Sequence, residues 1–272
     1  MSRARLFGLG AAAIMLLIAV AADATGNLTW QSKDRSFVSR MMSLRQRYQG
    51  KVHVAKLNNR PAVFINTDFG QGSYNSWTTE QKAQFNQFKR DLQKAVGANT
   101  LHAYNDGGHL HVGTGISSTS ALASGYKGKN IDIYGSLNLC DYSMARPGNN
   151  RTCVLFKLPT SKLRLFNTYV QAIENDFHGT LGRVEYNGRP APPPYISGNS
   201  NNAHNCTTWL SYFLNKKVDS SVQNRHSPYT FCKYNSKGNA NTMRGIMVFN
   251  HPNAPHTGQS LSSSFFSSLQ FD

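Results

Sequence analysis

Apolar residues recur along the chain with two periods, and the alternation between them predicts a mixture of helices and strands. The first helical pattern runs from Gln31 to Tyr48, with Phe37, Met41 and Leu44 on one side. A second is bounded at both ends. Thr78 and Gln81 form a capping box, Phe85, Phe88, Leu92 and Val96 repeat at steps of three and four, and Gly97 supplies the stop. A third begins at Thr160 or Ser161 and carries Leu163, Phe166, Ile173 and Phe177 on its buried face, ending near Gly179. A fourth follows Cys206, where Trp209, Leu210, Phe213 and Leu214 define an apolar stripe.

Between these lie runs with period two or continuous β-formers. Val52-His53-Val54 and Ala62-Val63-Phe64-Ile65 read as short strands, and His109 to Gly113 alternates after the turn Asn105-Asp106-Gly107-Gly108. Ile131 to Tyr134 is a further candidate. Cys153 to Leu158 and Arg244 to Phe249 follow, and the apolar run Val154-Leu155-Phe156 suits a strand covered on both faces. The expected class is therefore α+β. Residues 25–99 read as a basic, helical N-terminal extension, and 100–272 as the main domain with a polar, serine-rich tail in which Phe265 and Phe266 are the docking candidates.

The first segment changes the picture of where the chain works. Arg3 and Arg5 precede an apolar run from Leu6 to Val20, and the small-residue patterns Ala19-Val20-Ala21 and Ala22-Asp23-Ala24 follow. Residues 1–24 thus read as a secretory signal peptide, and the product as periplasmic or secreted. Without that segment the chain keeps 27 basic and 12 acidic residues, a formal charge of about +15. An exported protein this basic favours anionic envelope components: peptidoglycan peptides, lipids or lipoproteins, with peripheral membrane contact. The basic residues are dispersed and match no nucleic-acid-binding pattern, so no nucleic acid is expected as a partner. The chain is expected to act as a monomer.

Four cysteines in an oxidising compartment invite pairing. Cys140 and Cys153 flank the turn-rich stretch Arg146 to Asn150 and are expected to bridge; a Cys206–Cys232 bridge stays open. Cys206 is also placed for chemistry. It opens an amphipathic helix after a glycine- and asparagine-rich loop, where unpaired backbone N–H groups and the helix dipole favour a thiolate. A thiol nucleophile needs a base, and His109 and His111, two apart on a strand, share one face. His251, at the end of the last strand, is a rival base.

Here a resemblance enters. His111-Val112-Gly113-Thr114-Gly115 resembles the histidine strand of NlpC-type papain-like hydrolases, and Asn205-Cys206-Thr207-Thr208 resembles the opening of the cysteine helix in circularly permuted members. These include lecithin:retinol-acyltransferase-like proteins and bacterial envelope proteins with an Asn-Cys-Thr-Thr signature. In permuted members the histidine strand precedes the cysteine helix, as it does over residues 100–220 here. The resemblance implies a papain-like core of permuted order, an antiparallel sheet packed against helices, with Cys206 as nucleophile, His111 as general base, the Cys206 N–H in the oxyanion hole, and Asp132 as the nearest third polar residue. His109 replaces His111 if the strand register differs by two. Thr114 stands where the family pattern carries a hydrophobic residue. The implied activity is cysteine-dependent hydrolysis or acyl transfer at an amide or ester bond, with no cofactor. Two other readings use the same residues. His109-x-His111 is also compatible with a zinc-dependent cell-wall peptidase, and four oxidised cysteines with a non-enzymatic envelope-binding protein.

Overall fold

The computed structural model describes residues 28–97, 99–106, 109–114, 136–137, 151–163, 185–186, 189–190, 207–208, 211, 214–237, 241–252, 254 and 259–268. The strand predicted at 131–134 and most of the helix predicted from Thr160 lie outside them, although residues 160–163 are helical.

The chain enters through α1 (Ser32–Arg47), whose Phe37, Val38, Met41, Met42 and Leu44 are buried along one side. Strands β1 (Val52–Leu57) and β2 (Arg60–Ile65) form a hairpin closed by Asn58-Asn59. Both asparagines have positive φ, at 48° and 62°, which suits a two-residue turn of the twist-matched kind. Helix α2 (Thr79–Val96) opens on the predicted capping box, with the Thr78 hydroxyl accepting from the Gln81 N–H and the Gln81 amide oxygen accepting from the Thr78 N–H. It ends at Gly97, whose φ of 89° is a conformation open chiefly to glycine. Strands β3 (Thr100–Asp106), β4 (His109–Thr114), the two-residue β5 (Ser136–Leu137) and β6 (Arg151–Lys157) follow. A small separate ladder pairs β7 (Glu185–Tyr186) with β8 (Arg189–Pro190). The described part closes with α3 (Pro228–Asn235), β9 (Met243–Phe249), the two-residue β10 (Ser260–Leu261) and α4 (Ser263–Ser268).

The main sheet runs β10-β1-β2-β9-β6-β3-β4-β5. It is mixed rather than antiparallel: β1 pairs with β10, β2 with β9 and β4 with β5 in parallel, and the other pairs are antiparallel. The parallel β2–β9 pair sets Ala62 beside Ile246 and Ile65 beside Phe249. Residues 52–65 therefore stand inside the same sheet as β6 and β9, and the break expected near residue 99 does not divide the sheet.

Alternation along the strands supplies two faces. Val52 and Val54, Val63 and Ile65, Met247 and Phe249, and Cys153 and Leu155 meet α1 and α2 in one apolar cluster. On the other face α3 lies against β3 and β6, with Phe231 and Cys232 fully buried. Helix α4 adds Phe266, fully buried, and Phe265, whose ring centroid is 6.1 Å from that of Phe64. Both phenylalanines of the tail dock as expected. The interior position predicted for the Cys153–Leu158 run holds as well, since β6 lies between β9 and β3.

Candidate functional site

The histidine strand is real and its register is defined. In β4, His109 pairs with Asp106, and His111 pairs with Tyr104 on one side and Ser136 on the other. The row through His111 continues across the sheet as Tyr104, Cys153, Met247, Val63 and Val54. Leu110 takes the alternate row with Asn105 and Thr152, and all three are buried. Among the described residues, only the two-residue β5 lies outside β4 in the sheet, so among them the histidines sit near an edge.

Cys206, His204, Cys140 and Asp132 lie outside the described residues. The residues directly after the cysteine are helical at Thr207, Thr208 and Ser211. Thr207 and Ser211, one turn apart, are both fully buried. The Ser211 hydroxyl donates to the Thr207 carbonyl one turn back and lies 3.2 Å from the Arg225 carbonyl, and the Arg225 N–H donates to the same hydroxyl at 3.3 Å. Leu214, fully buried, opens the wide turn Leu214–Val218.

Asp219 then ties this segment to the sheet. One carboxylate oxygen accepts from the Ser221 N–H and hydroxyl, the other from the Thr242 N–H and hydroxyl just before β9. Burial alone would raise the Asp219 pKa, but these hydrogen bonds outweigh it and hold the carboxyl below its ordinary value. Sequence reading passed over Asp219; the Asp219-Ser220-Ser221 run, which favours a turn around the aspartate, is the signal that would have found it.

The other cysteines are thiols. Cys232, fully buried, donates to the Thr152 carbonyl at 3.8 Å, and burial pushes its pKa up to about 12, against a smaller opposing effect of the Asn105 backbone. The Cys206–Cys232 bridge left open by the sequence is thus not formed. Cys153 is likewise a buried thiol, its sulfur 3.7 Å from the Val154 carbonyl oxygen. The expected Cys140–Cys153 bridge is corrected accordingly: Cys153 sits mid-strand in the apolar cluster beneath α1 and α2, enclosed by core side chains.

The remaining histidines separate by environment. His251 follows β9 and is half-buried, its ring centroid 6.0 Å from that of Phe265; burial lowers its pKa. Three strand spacings, about 14 Å, separate β9 from β4, so His251 and the β4 histidines occupy different places on the sheet. His102, on β3, is fully enclosed, and burial pushes its pKa down to about 3, the behaviour of a neutral core residue. Among the described residues no three His, Cys, Asp or Glu side chains converge as a metal centre requires. Among the same residues, no helix is long and apolar enough to cross a membrane. No protein-family model, curated protein or solved structure matches the chain.

Proposed function

We propose that the chain is an exported cysteine-dependent hydrolase or acyltransferase acting on an amide or ester bond of an anionic cell-envelope substrate. The core is read as papain-like and permuted, with the histidine strand β4 before the cysteine helix. The observation that carries this reading is the helical turn at Thr207 and Thr208, directly after Asn205-Cys206, with Thr207 and Ser211 turned inward. A cysteine at that step stands beside the first unpaired N–H groups of a helix, where a thiolate is favoured. Cys232, being a buried thiol, leaves Cys206 unbridged to it.

In the proposed mechanism His111 takes the Cys206 proton and the thiolate attacks the carbonyl carbon. The tetrahedral oxyanion is held by backbone N–H groups at the helix start. Collapse expels the amine or alcohol, which takes the proton from His111 and leaves a thioester on Cys206. Water, or an acceptor amine or hydroxyl, gives its proton to His111 and attacks that thioester, releasing the acid or the transferred acyl product. His109, two positions earlier on β4, is the second candidate for the base. The formal charge of about +15 left without residues 1–24 supports an anionic envelope substrate.

An activated ester such as p-nitrophenyl acetate, with intact-mass analysis, tests the reading. The expected result is a burst of nitrophenol and the mass of one acetyl group mapped to Cys206. His111→Ala should slow acylation by about 10²-fold or more. Unchanged turnover in Cys206→Ala sinks the proposal.

A further inference from the structure

At one end of the sheet, where β3 and β9 begin and β6 ends, a cleft of about 460 Å³ opens beside the start of α1. That volume suits a small organic ligand. The cleft is lined by three cations, Lys33, Lys157 and Arg244, and one anion, Asp34. Asp34 offsets one of these charges and also faces the Arg60 guanidinium, 3.7 Å away. Three cations against one anion leave the cleft with a surplus of positive charge.

Arg244 is the residue that points to a ligand. Its side chain is 5% exposed, and its Nε has no hydrogen-bond partner among the described residues. The guanidinium carbon lies 5.4 Å over the Phe37 ring, which covers one face of the group and offers no acceptor. A buried guanidinium with an unused donor is costly unless an acceptor reaches it, and oxyanions match its fork. Burial, with the charge of Arg40 assisting and that of Asp34 opposing, lowers its pKa to about 10, so it stays protonated at neutral pH. Leu158 and Met243, each 1% exposed, give the same cleft an apolar part.

We propose that this cleft binds a small phosphomonoester, with Arg244, Lys33 and Lys157 holding the phosphate and Leu158 and Met243 packing against the organic body. A dianion answers the surplus of cations better than a single carboxylate does. A free phosphate ion fills only a fraction of the cleft, which favours a phosphate carried on a larger molecule. The site stands apart from His109, which pairs with Asp106, about 20 Å along β3 from Thr100.

Calorimetric titration of the full-length exported protein, at fixed ionic strength in chloride buffer, tests the assignment with glycerol 3-phosphate, inorganic phosphate and malonate as probes. The expected result is saturable one-to-one binding of glycerol 3-phosphate, weakened at least tenfold in Arg244→Gln and in the exposed double variant Lys33→Ala/Lys157→Ala. The double variant decides the matter if Arg244→Gln fails to fold. Binding in Cys206→Ala should match the unsubstituted protein, which keeps this site's fate separate from that of the thiol chemistry. Absence of saturable binding, equal affinity in the double variant, malonate binding as tightly as the monoester, or capture of free phosphate with rejection of the monoester each overturns the proposal.

Discussion

The Tyr48 hydroxyl donates to Asp91 at 2.7 Å, fastening the end of α1 to the middle of α2. Arg47 meets the same carboxylate oxygen at 2.8 Å, and Gln87 donates to the other at 3.1 Å. Burial raises the Tyr48 pKa, the Asp91 hydrogen bond and charge add to it, and the phenol titrates at about 12. The folded value lies above the unfolded one near 10, so this stabilisation is complete below pH 10 and is lost as pH rises through about 12. Asp91 behaves oppositely. Burial would raise its pKa, but Tyr48, Gln87 and neighbouring cations hold it below the ordinary value, and its stabilisation is present above that value and lost as acid protonates it. Tyr48→Phe should cost about 1 kcal/mol and remove much of the alkaline loss. Chemical denaturation at pH 8 and pH 11 checks both parts.

Gly245 permits the close passage of β9 past β2. A Cβ at this position would lie 2.4 Å from the Pro61 carbonyl oxygen, a backbone atom that can move only by shifting the strand. Gly245→Ala should therefore lower stability by about 1–3 kcal/mol, read as a lower melting temperature. A melting temperature equal to that of the unsubstituted protein would mean the two strands are not this close.

Cys232 should be chemically silent in the native protein. Its thiol is fully buried with a pKa of about 12, and alkylation requires a thiolate in reach of reagent. Iodoacetamide at pH 7.5, followed by peptide mapping, should modify Cys206 quickly and Cys232 only after denaturation. Rapid native labelling of Cys232 contradicts the packing of α3 against β6.

The start of α3 rests on a second capping box. Ser227 accepts from the Thr230 N–H at 3.2 Å, and the Thr230 hydroxyl accepts from the Ser227 N–H at 3.3 Å. Ser227→Ala should cost about 1 kcal/mol, visible as a shift in the urea midpoint with no change in slope.

What the sequence disclosed and what it hid divide along range. α1 was expected over Gln31 to Tyr48 and spans Ser32–Arg47, and the α2 cap and stop fall where Thr78, Gln81 and Gly97 put them. These are signals within one or two turns. The parallel β2–β9 pairing joins segments that no local pattern relates, which is why residues 25–99 read as an extension although their strands β1 and β2 belong to the sheet. α3 was missed because its eight residues bury only a short apolar set, although Ser227-Pro228 is a helix-start signal visible in the sequence. In the candidate site, the strand holding His109 and His111 was legible from alternation, and the helical residues Thr207, Thr208 and Ser211 fall within the helix expected after Cys206, whose stripe residues Trp209, Leu210 and Phe213 lie outside the described residues. Cys153 misled because a turn between two cysteines suggests a bridge, whereas its fate was set by a core that forms around it from distant strands.

The parallel β2–β9 pair also bears on how the chain reaches its folded form. Thr67 donates its N–H and its hydroxyl to the Asn250 side chain, at 2.8 and 2.9 Å, across 183 positions of sequence. The hairpin of β1 and β2 can form early, but the strand that closes its open side lies near the end of the chain. Loop closure over such a separation makes assembly slow and late. A polypeptide delivered from its N-terminus therefore leaves the open side of β2 uncovered until β9 has emerged. The sheet acts as a latch on completeness: a product truncated before Met243 lacks the strand that joins its two halves.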